Sequence, residues 1–170
     1  MEATAERQFG DFVAARSLAL RRFAYLLCGD WHQAEDAVQN ALTKLYLRWE
    51  RLDNPLLAEP YLRRILVTTL IDESRRGWFR RETVWQQPPD EELAADPANA
   101  SADRLAVLAA LTQIPARQRA VLVLRFWEDQ SVEQVAAILG CAPGTVKSQT
   151  AHGLAKLRGI LGDHRTEDET

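Results

Sequence analysis

The sequence predicts an all-α protein: two small helical domains joined by a flexible acidic linker, the second carrying a helix-turn-helix. Three observations predict it. Apolar residues recur at helical spacing, and no stretch holds a period-two alternation. Thr83 to Asp103 interrupts that pattern with Pro88, Pro89, Pro97, five acids and no basic residue. Ser131 to Leu157 then reads as two capped helices around a glycine.

Taken in order, Phe9 to Cys28 carries a wide apolar stripe through Phe12, Val13, Leu20, Phe23 and Leu27. Gly29-Asp30 ends it. Trp31 to Trp49 is the second helix, with Ala34, Ala37, Val38, Ala41, Leu42, Leu45 and Trp49 on one face. Glu35, Asp36, Gln39, Asn40 and Lys44 lie on the others. Asn54-Pro55 marks a loop, and Glu59-Pro60 opens a third helix. Its core face holds Leu62, Ile65, Leu66 and Leu70, with Thr69 beside them. Arg63, Arg64, Thr68, Asp72, Arg75 and Arg76 point elsewhere. From Tyr61 to Glu82 six arginines meet three acids, with Trp78, Phe79 and Trp85 among or beside them. Two readings fit: a solvated helix end with aromatics folded onto the core, or a surface where arginines meet phosphates and aromatics stack on bases.

Helical periodicity resumes at Arg104 with Leu105, Leu108 and Leu111, and Ile114-Pro115 breaks it. Ala116 to Trp127 is the next helix. Ser131 caps the one after, with Gln134 three residues on to close a capping box. Gly140 stands where a left-handed backbone is needed, and Pro143 suits a first helical turn. Val146, Leu154 and Leu157 face inward from the last helix, while Lys147, Ser148, Gln149 and His152 lie on other faces. Such a pair either packs as a plain hairpin or lays its second helix in the major groove of DNA. The tail, Asp163 to Thr170, is acidic and is expected to fray. The domain boundaries that follow are 1–82, a linker over 83–103, 104–162, and the tail over 163–170.

Composition narrows the function. Hydrophobic residues make up 46% of the 170-residue chain, enough for real cores. The net charge of −3 argues against a protein that coats nucleic acid non-specifically. Arginine dominates the cations; it suits phosphate and base contacts, and a GC-rich genome produces the same bias. Cys28 and Cys141 form no CxxC, and His32, His152 and His164 make no metal cluster. The N-terminus has no apolar leader-like run, and no stretch is long enough to span a bilayer, so a cytoplasmic protein is expected. No metal, cofactor or nucleophile–base set is indicated, so an enzyme is not expected.

Three stretches resemble the extracytoplasmic-function (ECF) sigma factors of bacterial RNA polymerase, the SigE-like branch above all. They are HQAEDAVQNALTKLYLRW (His32 to Trp49), YLRRILVTTLIDESRR (Tyr61 to Arg76) and IPARQRAVLVLRFWEDQSVEQVAAILGCAPGTVKSQ (Ile114 to Gln149). The resemblance implies a factor that binds core RNA polymerase and directs it to promoters. By position, Glu35, Asp36, Gln39 and Asn40 match the surface that docks on the clamp helices of the polymerase large subunit; the flap is the family's second contact. Asn54, Tyr61, Arg64, Thr68, Arg75 and Arg76 match the segment that binds and melts the −10 element. Thr145, Lys147, Ser148, Gln149, His152 and Arg158 match the −35 reader, with Lys147 and Arg158 on phosphates and Gln149 and His152 at base edges. An anti-sigma factor is the implied regulatory partner, and no membrane contact is implied. Family members commonly carry Asn where Thr68 stands, a basic residue where Val67 stands, and Arg where His152 stands. Ala142 stands where family members often carry a serine cap, and Gly153 costs the last helix about 1 kcal/mol of propensity; the two readings are weaker −35 binding, or binding that tightens at low pH if His152 contacts phosphate. A stand-alone regulator with the same helix-turn-helix is the rival reading; it would normally need a dimer, and no heptad seam is present.

Overall fold

The structure is a computed structural model that describes residues 2–77 and 102–168. The described residues form helices and short turns with no strand: α1 (Ala3–Cys28), α2 (Trp31–Tyr46), α3 (Ala58–Gly77), α4 (Ala102–Leu111), α5 (Ala116–Leu122), α6 (Val132–Leu139) and α7 (Pro143–Asp168). The linker expected over 83–103, together with Trp78, Phe79 and Trp85, lies outside the described residues, apart from Ala102 and Asp103, which open α4.

Local chemistry sets the helix ends. Gly29 stops α1 with φ 72° and donates its N–H to the Tyr25 carbonyl at 2.7 Å. Asp30 then caps α2, accepting from the amides of His32 and Gln33 at 2.9 and 3.1 Å. The Tyr25 ring stacks on Trp31 across this corner, centroids 3.9 Å apart. Burial, with Cys28 and Asp30 nearby, pushes the Tyr25 phenol well above its ordinary range, so it stays neutral. The helix α2 ends at Tyr46 rather than Trp49. Trp49 instead enters a 3-10 turn (Trp49–Arg51) and is buried against Phe9 and Phe12. Leu45, Leu62 and Leu66 are fully buried between α1, α2 and α3; each such burial stabilises by about 1.5–3 kcal/mol.

The C-terminal half departs from simple periodicity in three places. The helix expected from Ala116 to Trp127 is α-helical only to Leu122; Val123–Trp127 is a π turn, in which the Glu128 amide reaches back to the Val123 carbonyl at 3.0 Å. The turn leaves Phe126 54% exposed. Asp129 follows at φ 52°, a conformation Asp tolerates. The tail expected to fray continues α7 to Asp168, since no proline or left-handed residue interrupts it.

The two halves share one apolar cluster. It joins Leu20, Phe23, Leu62, Leu66 and Leu70 of the first half to Ala120, Val121, Leu124, Val135 and Val146 of the second. A smaller cluster of Leu108, Leu111, Ile114 and Leu122 sits under α7. The buried face of α3 therefore includes Val67 and Ile71, which the single-face reading omitted; Ile65 and Thr69 are only half-buried.

Candidate nucleic-acid interface

The helix-turn-helix is built as its spacing requires. Ser131 Oγ accepts from the Gln134 amide at 3.1 Å, and Gln134 Oε1 accepts from the Ser131 amide at 2.7 Å. Gly140 turns the chain at φ 65°. Val146 is fully buried where α7 crosses α6. At 100° per residue, the opposite side of α7 carries Ser148, Ala151 and Ala155, all short and exposed. Lys147 and Arg158 stand eleven residues apart on one flank of that strip, only about 20° apart around the axis. Thr145 and His152 form the other flank, joined by exposed Lys156, which the sequence reading passed over. Its signal was the same eleven-residue spacing, here from Thr145. Gln149 falls at the edge of the buried stripe and is half-buried. Its amide oxygen is enclosed without a hydrogen-bond partner among the described residues. A base-edge contact from Gln149 would first need its side chain to swing outward.

On α3 the same geometry lines up Tyr61, Arg64, Thr68 and Arg75, at i, i+3 and i+7 steps, with Arg76 beside them. Arg64, Thr68, Arg75 and Arg76 are exposed; Tyr61 is half-buried. Arg48 lies 5.5 Å from the Tyr61 ring centroid, a cation–π contact that extends the basic strip and was not anticipated. Asn54 precedes the strip, and its side-chain oxygen caps a 3-10 turn (Pro55–Leu57) through the Leu56 amide at 3.0 Å. That turn presents Leu56, 80% exposed, and Leu57 to solvent.

The α2 face divides. Asp36, Gln39 and Asn40 are exposed, on the side away from Ala34, Ala37, Val38 and Ala41. Glu35 is turned the other way: its carboxylate pairs with Arg21 of α1, so it ties two helices together. Gln33 does similar work toward α3, donating to Glu73 at 2.8 Å. Among the described residues, no group of three or more His, Cys, Asp or Glu could hold a metal ion, and no helix is long and apolar enough to cross a membrane.

Comparison with known proteins places matches on both halves. The sigma-70 region 2 family matches residues 12–80, and the sigma-70 region 4 family matches residues 104–157. The RNA polymerase sigma-E factor of Streptomyces coelicolor is 38% identical over 155 residues, covering 89% of this chain and 84% of the relative. The ECF sigma factor SigL of Mycobacterium tuberculosis is 36% identical over 160 residues, covering 92% and 89%. Among solved structures, the sigma factor RpoE of Bartonella quintana, in complex with the anti-sigma factor NepR, is 28% identical. It superposes with a TM-score of 0.68 over 92% of this chain and 98% of that one.

Proposed function

The chain belongs to the extracytoplasmic-function sigma factors, and from that premise we propose which of its surfaces meet polymerase and which meet promoter DNA. It is a transcription initiation factor that binds core RNA polymerase and directs it to promoters. In our reading residues 1–82 bind polymerase and the −10 element, 83–103 link the halves, 104–162 read the −35 element, and 163–170 form an acidic tail. Asp36, Gln39 and Asn40 form the clamp-docking face. A short carboxylate beside two amides suits an arginine-rich partner helix. Glu35 acts behind that face, through Arg21.

Tyr61, Arg64, Thr68, Arg75 and Arg76, with Asn54 ahead of them, take the −10 strand. The arginines hold phosphates, and the exposed Leu56–Leu57 turn lies beside the space for an extruded base. The outer face of α7 takes the −35 duplex. Its short Ser148, Ala151 and Ala155 let DNA approach closely, Lys147 and Arg158 grip one phosphate strand, and Thr145 and His152 work from the other flank with Ser148. The assignment requires no metal, cofactor or catalytic residue, because the chemistry of RNA synthesis belongs to the polymerase. In this reading the protein works in the cytoplasm, beside polymerase and DNA. A proteinaceous anti-sigma partner, of the kind seen with RpoE, is its expected regulator.

The observation that carries this reading is the exposed Asp36–Gln39–Asn40 face on a helix whose other side is fully committed to the core. A stand-alone DNA regulator has no use for it. The test is co-elution of the purified protein with bacterial core RNA polymerase on a sizing column. Co-elution is expected for the native chain and its loss for a folded Asp36→Arg variant. A folded Asp36→Arg chain that still co-elutes would overturn the docking assignment.

A further inference from the structure

The ends of α1 and α3 and the turn that follows α4 enclose a cavity of about 720 Å³. Leu70 and Ile71 of α3 form one wall, and Ile114 and Pro115 face them. Three arginines, Arg75, Arg117 and Arg119, line the same space, and no acid does. That imbalance stands in a chain whose net charge is −3. Arg75, assigned above to the −10 strand, is the lining residue shared with a recognition surface. Ligand cavities have this size and this make-up, apolar walls with a few convergent polar groups.

The three arginines differ in what they already hold. Arg119, 9% exposed, donates Nη1 to the Leu27 carbonyl at 3.0 Å, and Nη2 to the Thr112 and Ile114 carbonyls at 3.0 and 3.1 Å. These oxygens belong to the last turn of α1 and the chain leaving α4, where helix ends carry partial negative charge. Arg119 therefore covers groups that would repel an anion. Arg75 and Arg117 make no hydrogen bond or ion pair among the described residues. Arg75 is exposed and can turn toward the cavity. Arg117 is half-buried, so its charge is partly out of water with nothing to balance it, a cost that a bound counter-ion would offset. Half-buried Ser74, beside Arg75, adds a hydroxyl to the lining.

We propose that this cavity binds a small organic anion, with an apolar body between the Leu70–Ile71 and Ile114–Pro115 walls and a phosphate, sulfonate or carboxylate head between Arg75 and Arg117. The body removes apolar surface from water. The head gives Arg117 its missing counter-charge, and a guanidinium offers such a group paired donors. Neither part suffices alone. An uncharged apolar molecule leaves Arg117 unbalanced. Inorganic phosphate leaves the walls uncovered and gains solvent-screened ion pairs of little worth. The site rests on the fold alone and does not depend on which surfaces meet polymerase or DNA.

The test titrates the full chain with anilinonaphthalene sulfonate, an aromatic body bearing one sulfonate whose emission rises in apolar surroundings. For a ligand of its size a Kd on the order of tens of micromolar is expected. Octyl phosphate should displace the dye. Octanol and inorganic phosphate, each carrying only one of the two parts, should displace it about tenfold less well or worse. Ser74→Trp, which fills the cavity, should abolish the displaceable signal. Arg117→Glu should weaken octyl phosphate about tenfold or more, and Arg117→Lys should lose less because the charge remains. Circular dichroism checks that each variant keeps the native helicity. Arg117→Glu, at a half-exposed position, decides the matter if Ser74→Trp loses helix. A displaceable signal equal in the native chain and in folded variants would overturn the site and put the dye on exposed residues such as Leu56 and Phe126. Octanol as effective as octyl phosphate would overturn the anionic head, and inorganic phosphate as effective would overturn the apolar body. Native protein with no displaceable signal would overturn the proposal outright.

Discussion

Replacing Gly153 with alanine sets two effects of opposite sign against each other, and the structure says which wins. Helix propensity alone makes Gly153→Ala stabilising by about 1 kcal/mol. The fold places Gly153 where α7 crosses α5, however. A Cβ there would lie 3.1 Å from Leu122 Cδ1, 3.2 Å from Cγ and 3.5 Å from Cδ2. Leu122 is 1% exposed and clustered with Leu108, Leu111 and Ile114, so its side chain can give way only by pressing on those neighbours. Overpacking of this kind costs about 1–3 kcal/mol. The net expectation is a loss near 1 kcal/mol, a urea midpoint lowered by about 0.5 M with unchanged slope. Far-UV circular dichroism of Gly153→Ala, Leu122→Val and the pair measures it. The pair should be less destabilised than the sum of the singles, because the smaller side chain at 122 makes room. A midpoint raised by Gly153→Ala would refute the reasoning: the crossing would be slack, and the glycine a mere propensity defect. If the loss appears, −35 DNA affinity should fall with it, since the same crossing aims the outer face of α7.

Three further outcomes are expected. Lys147→Glu should weaken −35 duplex binding and lower the slope of log affinity against log salt by about 1, measured by fluorescence anisotropy; an unaltered slope would place Lys147 off the DNA. Asp30→Ala removes both cap bonds of α2 and should cost about 1 kcal/mol in denaturant unfolding, with a negligible loss arguing that water replaces the cap. Arg119→Met leaves three carbonyls without their donor and should cost about 3 kcal/mol or more in thermal unfolding; a loss under about 1 kcal/mol would mean solvent from the adjoining cavity satisfies them.

Much of the molecule was legible because its signals are local. Ser131 with Gln134, Gly140 and Pro143 announce the helix-turn-helix within thirteen residues, and each does in the structure what its chemistry demands. Gly29 and Asp30 mark the corner between α1 and α2 in the same way. The stripe on α2 separates Ala34, Ala37 and Val38 from Asp36, Gln39 and Asn40 by periodicity alone. The structure adds most where a side chain's neighbours lie outside its own stretch of helix. Glu35 looked like part of an open acidic face until Arg21 was seen to claim it. Gln149 looked like a reader until its angle on α7 put it against the core. The π turn at Val123–Trp127 follows the apolar spacing of an ordinary helix, so nothing in the residues distinguished it.

The sequence by itself determined the helices, their caps, the family and the order of its two regions. These follow from spacing, propensity and motif, which act over a few residues at a time. Only the tertiary structure decided what the remaining residues are for. It buried Val67 and Ile71 of α3, which the single-face reading had left out of the core, aimed Arg119 at the Leu27 carbonyl and Arg63 at Glu128 across the two halves, and gave Gly153 a reason to lack a side chain. The physical reason is distance along the chain. A hydrogen bond between residues 27 and 119, or an ion pair between 63 and 128, leaves no periodic trace, because its two ends are brought together only when the halves pack.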